Sequence, residues 1–133
     1  MNIRIRHLLT LILVSLILLG CMAATNNETS SLQNASKIKF LLDNIHADGL
    51  RGPPGGKTSV AYEFCVPTDN RNLQEVRQID PNVQIYQGSK GRIGCTSSQT
   101  LIIGSTSQPH WKEVLTAISA LPYVLEIQEA FFE

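Results

Sequence analysis

His110 and Glu113 stand one helical turn apart, and with His46 they are the candidate ligands for a metal such as zinc. A zinc centre needs three or four protein ligands and outer partners that orient them. Nothing supplies the missing ligand at a workable spacing, so neither a metal nor any other cofactor is expected. Glu63 and Glu126 form the other pair with chemical promise. Both lie in alternating segments, and neighbouring strands could bring the two carboxylates together to share a proton or take a cation. Two solvated sheet glutamates are the plainer reading. Gly56-Lys57-Thr58 matches the end of the G-x-x-x-x-G-K-[ST] phosphate loop, but Arg51 stands where the first glycine is required. A β-branched segment follows where the pattern needs a helix, so the match carries no phosphate site. There is no G-x-S-x-G elbow and no serine and histidine that topology would pair. Arg51, in a Gly-Pro loop, and Arg92, between Gly91 and Gly94, are the remaining candidates, as binding residues on loops. The chain therefore reads as a non-enzyme.

The elements that must hold these residues follow from periodicity. Ile38, Leu41, Leu42 and Ile45 recur at i, i+3, i+4 and i+7, which predicts a helix over 36–48, capped by Ser36 and ended by Gly49. Residues 49–56 break regular structure. From 59 to 66 Val60, Tyr62, Phe64 and Val66 alternate with Ala61, Glu63 and Cys65, a half-buried strand. Leu73, Val76 and Ile79 follow a helical face that starts at a capping-box-like Asn72-Leu73-Gln74-Glu75 and stops at Asp80-Pro81. Residues 83–86 form a short strand, and Gly88, Gly91 and Gly94 punctuate a loop carrying Arg92 and Cys95. A buried strand spans 100–104. Pro109 lies in the first turn of a helix whose stripe is Trp111, Val114, Leu115, Ile118 and Leu121. Residues 123–132 alternate again as a last strand. The order strand, helix, strand, strand, helix, strand is the ferredoxin-like βαββαβ plan of an α+β domain. It has a four-stranded antiparallel sheet with two helices on one face, preceded here by the extra N-terminal helix. On the other face Glu63, Gln84, Tyr86, Glu126 and Gln128 are expected, with Ala61 and Ile102.

The first 21 residues carry an address. Arg4, Arg6 and His7 precede an apolar run from Leu8 to Leu19, of the length of a signal-peptide core and shorter than the ~20 residues a membrane-spanning helix needs. The run ends in Leu18-Leu19-Gly20-Cys21, which resembles the lipobox of bacterial lipoproteins. The resemblance implies cleavage after residue 20, a diacylglyceryl group on the Cys21 thiol and a fatty-acyl group, palmitate, on the new amine. More than one acyl chain makes such an anchor stable. Met22 stands where an aspartate would favour retention in the inner membrane, so a Gram-negative source would place the protein on the periplasmic face of the outer membrane. The expected organisation is a signal peptide over 1–20 and a lipidated Cys21 with a flexible tether over 21–35. A helix and Gly-Pro loop over 36–56 and the ferredoxin-like domain over 57–133 complete it.

With Cys21 lipidated, two of the three cysteines remain, and in an oxidising compartment Cys65 and Cys95 are expected to pair. In the ferredoxin-like plan the first strand ends at the edge where the second and third strands connect, which brings the two together. Arg4 and Arg6 leave with the signal, so the mature chain would carry slightly more acidic than basic groups. No basic stripe is present, which argues against nucleic acid as a partner. The membrane, through the lipid, and an envelope protein or peptide are the expected partners. The leading expectation is thus an interaction domain using the sheet face and the Arg51 and Arg92 loops. The alternative is a protease inhibitor or prodomain-like regulator presenting Phe131-Phe132-Glu133. An enzyme built on Glu63 and Glu126 is the third.

Overall fold

Period-2 alternation around Tyr62 and Phe64 builds the strand on which the other elements are laid. The computed structural model describes residues 27–132. Residues 1–26, with the apolar run, the lipobox and the start of the expected tether, lie outside them. In chain order the elements are α1 (27–35), β1 (Leu50–Arg51), β2 (Thr58–Ser59), β3 (Ala61–Pro67), α2 (Asn70–Ile79), β4 (Gln84–Tyr86), β5 (Gln99–Ser105), α3 (Trp111–Ala120) and β6 (Ile127–Glu129). β1 and β2 pair antiparallel, and the larger sheet runs β4-β5-β3-β6 with every pair antiparallel. The domain is therefore mixed α+β. Residues 34–133 form one compact unit, separate from the one that ends at Gln33.

Register assigns the faces. Phe64 pairs with Ile102 and with Ile127, and these residues share one core cluster with Tyr62, Val66, Leu73 and Val76 of α2 and Leu115 and Ile118 of α3. Burying such side chains, at about 1.5–3 kcal/mol each relative to exposure, is the main favourable term. Gly104 faces Tyr62 across the β3–β5 pair, and a Cβ there would stand 2.4 Å from the Tyr62 ring. The glycine lets the aromatic ring lie flat on the strand. α2 starts at Asp69, whose carboxylate accepts the backbone N–H of Asn72 at 3.0 Å, and its chain leaves at Asp80.

Five sequence expectations are corrected. Residues 36–48 are not helical: they run through turns and bends. Ile38 bridges Ile127 in parallel, with Lys39 N–H donating to the Ile127 carbonyl at 2.8 Å and Ile127 N–H to that of Lys37 at 2.9 Å. A helix of about three turns is marginal alone, and the unpaired edge of β6 offers the same backbone better partners. Ile45 is still buried, but Leu41 is exposed, so the apparent stripe served a bent segment. Residues 27–35, read as flexible tether, are helical and almost wholly exposed. The last strand is confined to Ile127–Glu129, because the chain turns after α3 and leaves Leu125 in solvent. Ile102 belongs to the core face and not to the opposite one. The helix at Pro109 begins later than expected, at Trp111, with His110 in the left-handed region at φ 56°.

Candidate functional site

The sheet face away from the core is set by the same register: Glu63 pairs with Ile103 and Gln128, Cys65 with Leu101, and Gln84 and Tyr86 of β4 with Ile103 and Leu101. Half of it is covered. Cys65 and Cys95 are joined, with Cα atoms 5.5 Å apart, and the bond draws the β4–β5 loop across the strands. The loop tightens on itself through Gly94 and Cys95 N–H groups that both donate to the Lys90 carbonyl, at 3.0 and 2.7 Å. Gly91 is pressed against the sheet: a Cβ there would lie 2.7 Å from Leu101 Cδ1 and 2.9 Å from Glu63 Oε2, at a φ of +58° that already favours glycine. Beneath it Glu63 is only 4% exposed. Its Oε1 accepts the Ile93 backbone N–H at 2.7 Å and the Gln128 amide at 2.8 Å. A buried carboxylate has to be bonded in this way, and here the bonds pin the loop.

The other expected site residues are scattered around this lid. Arg51 makes a two-pronged pair with Glu129, with one bond at 3.0 Å, which raises the guanidinium pKa further. Arg92 is exposed on the loop with its guanidinium 5.9 Å from the Phe131 ring centre, within reach of a cation–π contact. Glu126 is half-buried beside the disulfide, in a shallow groove of about 180 Å³ that it shares with Ile93, Gly94 and Leu125. His110 and Glu113 are 4.0 Å apart and mostly exposed, and among the described residues no group of three or more His, Cys, Asp or Glu comes together.

One residue was missed by sequence reasoning. Asp80, read only as a helix stop, is 1% exposed and accepts from Gln108 Nε2 at 2.9 Å, Asn82 N–H at 2.9 Å and the Tyr62 hydroxyl at 3.4 Å. An Asp at a helix end beside an inward-facing Tyr was the available signal. Burial, and then the neighbouring Asp80 carboxylate, push the Tyr62 hydroxyl far above its ordinary value of 10.0. Above about pH 10 the unfolded tyrosine ionises while the folded one stays protonated, so stability is present below that pH and falls as pH rises. Tyr62→Phe is expected to make the fall shallower, read from urea midpoints between about pH 8 and 11. An unchanged slope would mean that Tyr62 titrates freely.

The class these features define is a small disulfide-braced α+β domain with a lidded sheet. In comparisons with protein-family models, curated proteins and solved structures, the chain matches none of them.

Proposed function

We propose that this is a lipid-anchored protein of the bacterial cell envelope whose folded domain is a non-catalytic interaction module of ferredoxin-like plan. The anchor rests on Leu18-Leu19-Gly20-Cys21 in its context of basic start and short apolar run. Among the described residues no helix is long and apolar enough to cross a membrane. The plan is supported by the sheet order: the four strands of the larger sheet lie as second, third, first and fourth in sequence, as two βαβ crossovers would leave them. Membrane attachment is through Cys21, on the periplasmic face of the outer membrane in a Gram-negative cell.

One observation carries the interaction reading. Leu125 is 74% and Phe131 58% exposed, beside a loop that the disulfide and Glu63 hold rigid, with Arg92 and Glu126 at its rim. Apolar anchors and an arginine on a stiff support are what protein-binding surfaces use, since little ordering entropy remains to be lost. The polar side-chain atoms buried among the described residues all have partners, which suits a structural role for them better than a poised reaction. The partner is an envelope protein or peptide.

The test is capture of the full-length lipidated chain from membranes, with Leu125→Asp and Arg92→Glu alongside. A partner held by the wild type and reduced at least tenfold by both variants is expected. Retention by both would refute this surface. The exposed Phe131 and Phe132 also favour the inhibitor or prodomain-like reading. It would be preferred if the captured partner were a protease whose inhibition disappears when residues 131–133 are removed.

A further inference from the structure

The lid covers only one end of the sheet face. At the other end a separate groove of about 290 Å³ opens, floored by Ala61 and Ile103 and walled by Asn82, Gln84, Ser105, Ser107, Gln108 and Phe132. Its size sits at the lower edge of the ~300–1,000 Å³ typical of small-molecule sites. The composition of the wall is specific. With Ser59 it has three carboxamides, three hydroxyls and one aromatic ring, and no lining residue is charged. An anionic ligand would find nothing here to neutralise it, whereas a neutral, hydroxyl-rich molecule meets groups that both donate and accept.

Two of the amides have fixed polarity. Gln108 Nε2 spends its hydrogens on the buried Asp80 carboxylate and on the Ser105 carbonyl, both at 2.9 Å, which leaves Gln108 Oε1 as an oriented acceptor. Asp80 is thus a positioning residue, holding the amide by a charge-assisted bond. Gln84 is set the opposite way. Its Oε1 accepts the Tyr86 hydroxyl at 2.6 Å, which leaves Nε2 as a donor. One groove therefore presents a fixed acceptor and a fixed donor, the complement of an acetamido group with its N–H and C=O. Phe132, 69% exposed at the groove, offers a ring face for the C–H groups of a pyranose. The ring face carries the negative part of the aromatic quadrupole, which suits polarised C–H groups.

We propose that this groove is a binding site for N-acetylated saccharides, with Gln84 and Gln108 reading the acetamido group and Phe132 stacking on the sugar ring. The site is distinct from the protein-binding surface at the lid. The affinity of so open a groove for a short oligosaccharide should be modest, with a Kd on the order of 1 mM.

The full chain, solubilised in detergent, is titrated with triacetylchitotriose and, separately, with maltotriose, followed by calorimetry and saturation-transfer NMR. Triacetylchitotriose should bind at least tenfold more tightly than maltotriose. Phe132→Ala and Gln84→Ala alter exposed side chains, so folded variants are expected, checked by circular dichroism. Each should weaken triacetylchitotriose binding about tenfold or more. Absence of binding by either sugar at 10 mM, a concentration about ten times the Kd expected here, would overturn the proposal. Unaltered binding in both variants would remove the groove as the site, and equal affinity for the two sugars would overturn the acetamido reading. Partner capture through Leu125 and Arg92 is scored separately, so the failure of one leaves the other standing.

Discussion

Gly49→Ala is expected to lower stability by at least about 3 kcal/mol, against about 1 kcal/mol for Gly55→Ala. Both glycines have positive φ, +78° and +85°, so both substitutions incur the left-handed backbone penalty of an L-residue. They differ in what surrounds them. A Cβ on Gly55 meets nothing within 4 Å, whereas one on Gly49 would lie 1.8 Å from the Thr106 carbonyl oxygen and 3.3 Å from the Trp111 ring. Neither neighbour is free to retreat. Thr106 is fully buried; its hydroxyl donates to the Gly49 carbonyl at 2.6 Å and accepts the Val60 N–H at 2.9 Å, and its own N–H donates to the Val60 carbonyl at 2.9 Å. Trp111 is tied by its indole N–H to the His46 carbonyl at 3.1 Å. The clash has to be relieved by moving the turn that joins residues 46–50 to the start of β3, and those hydrogen bonds would be lost with it. Urea unfolding followed by far-ultraviolet circular dichroism gives both values. Equal costs for the two substitutions would show that the turn yields and that Thr106 does not hold it.

The same turn shows where sequence reasoning reaches and where it stops. Gly49 was legible as a chain break, because glycine ends helices and makes turns alike. Which of the two it did depended on whether residues 36–48 were helical, and periodicity could not say. Ile38, Leu42 and Ile45 fit a helical stripe, but they also fit a segment that lies across a core with its backbone bonded to Ile127. The choice was made by the bare edge of β6, which is a property of the assembled sheet. β3, α2 and α3 were legible because each carries its own alternation or stripe. The run Leu101-Ile102-Ile103 has none, so nothing in it opposed placing Ile102 on the outer face, whereas pairing with Phe64 turns it inward. The site was half legible. Cys65 and Glu63 share a face by parity, and the βαββαβ order brought Cys95 to that end. The loop's three glycines looked like punctuation, whereas at Gly91 the missing side chain is what lets the backbone lie on Leu101 and Glu63. Asp80 stayed hidden because helix-stop chemistry already explained it.

Removing the disulfide by Cys65→Ala with Cys95→Ala is expected to cost about 3–4 kcal/mol, the chain-entropy figure for a closed loop of this length. The bond spans a sequence separation of 30. Glu63→Ala in the intact protein should cost about 2–3 kcal/mol, since it leaves the Ile93 N–H and the Gln128 amide without their acceptor under a lid that cannot lift. The two ties hold the same loop, so their losses should not add. Once the disulfide is gone, the loop can rise from the sheet, water reaches the Ile93 N–H, and much of what Glu63 contributed is already lost. In the cysteine-free background Glu63→Ala should therefore cost at least about 1 kcal/mol less than in the intact one. Amide hydrogen exchange supplies the local readout: Ile93 should lose protection when either tie is cut, while the Leu101 amide inside β5 keeps most of its own. Strict additivity, with Ile93 still protected in the cysteine-free protein, would mean that the lid stays down without its covalent tie. Glu63 alone would then position Arg92, and the proposed interaction surface would owe its stiffness to a buried carboxylate and not to the disulfide.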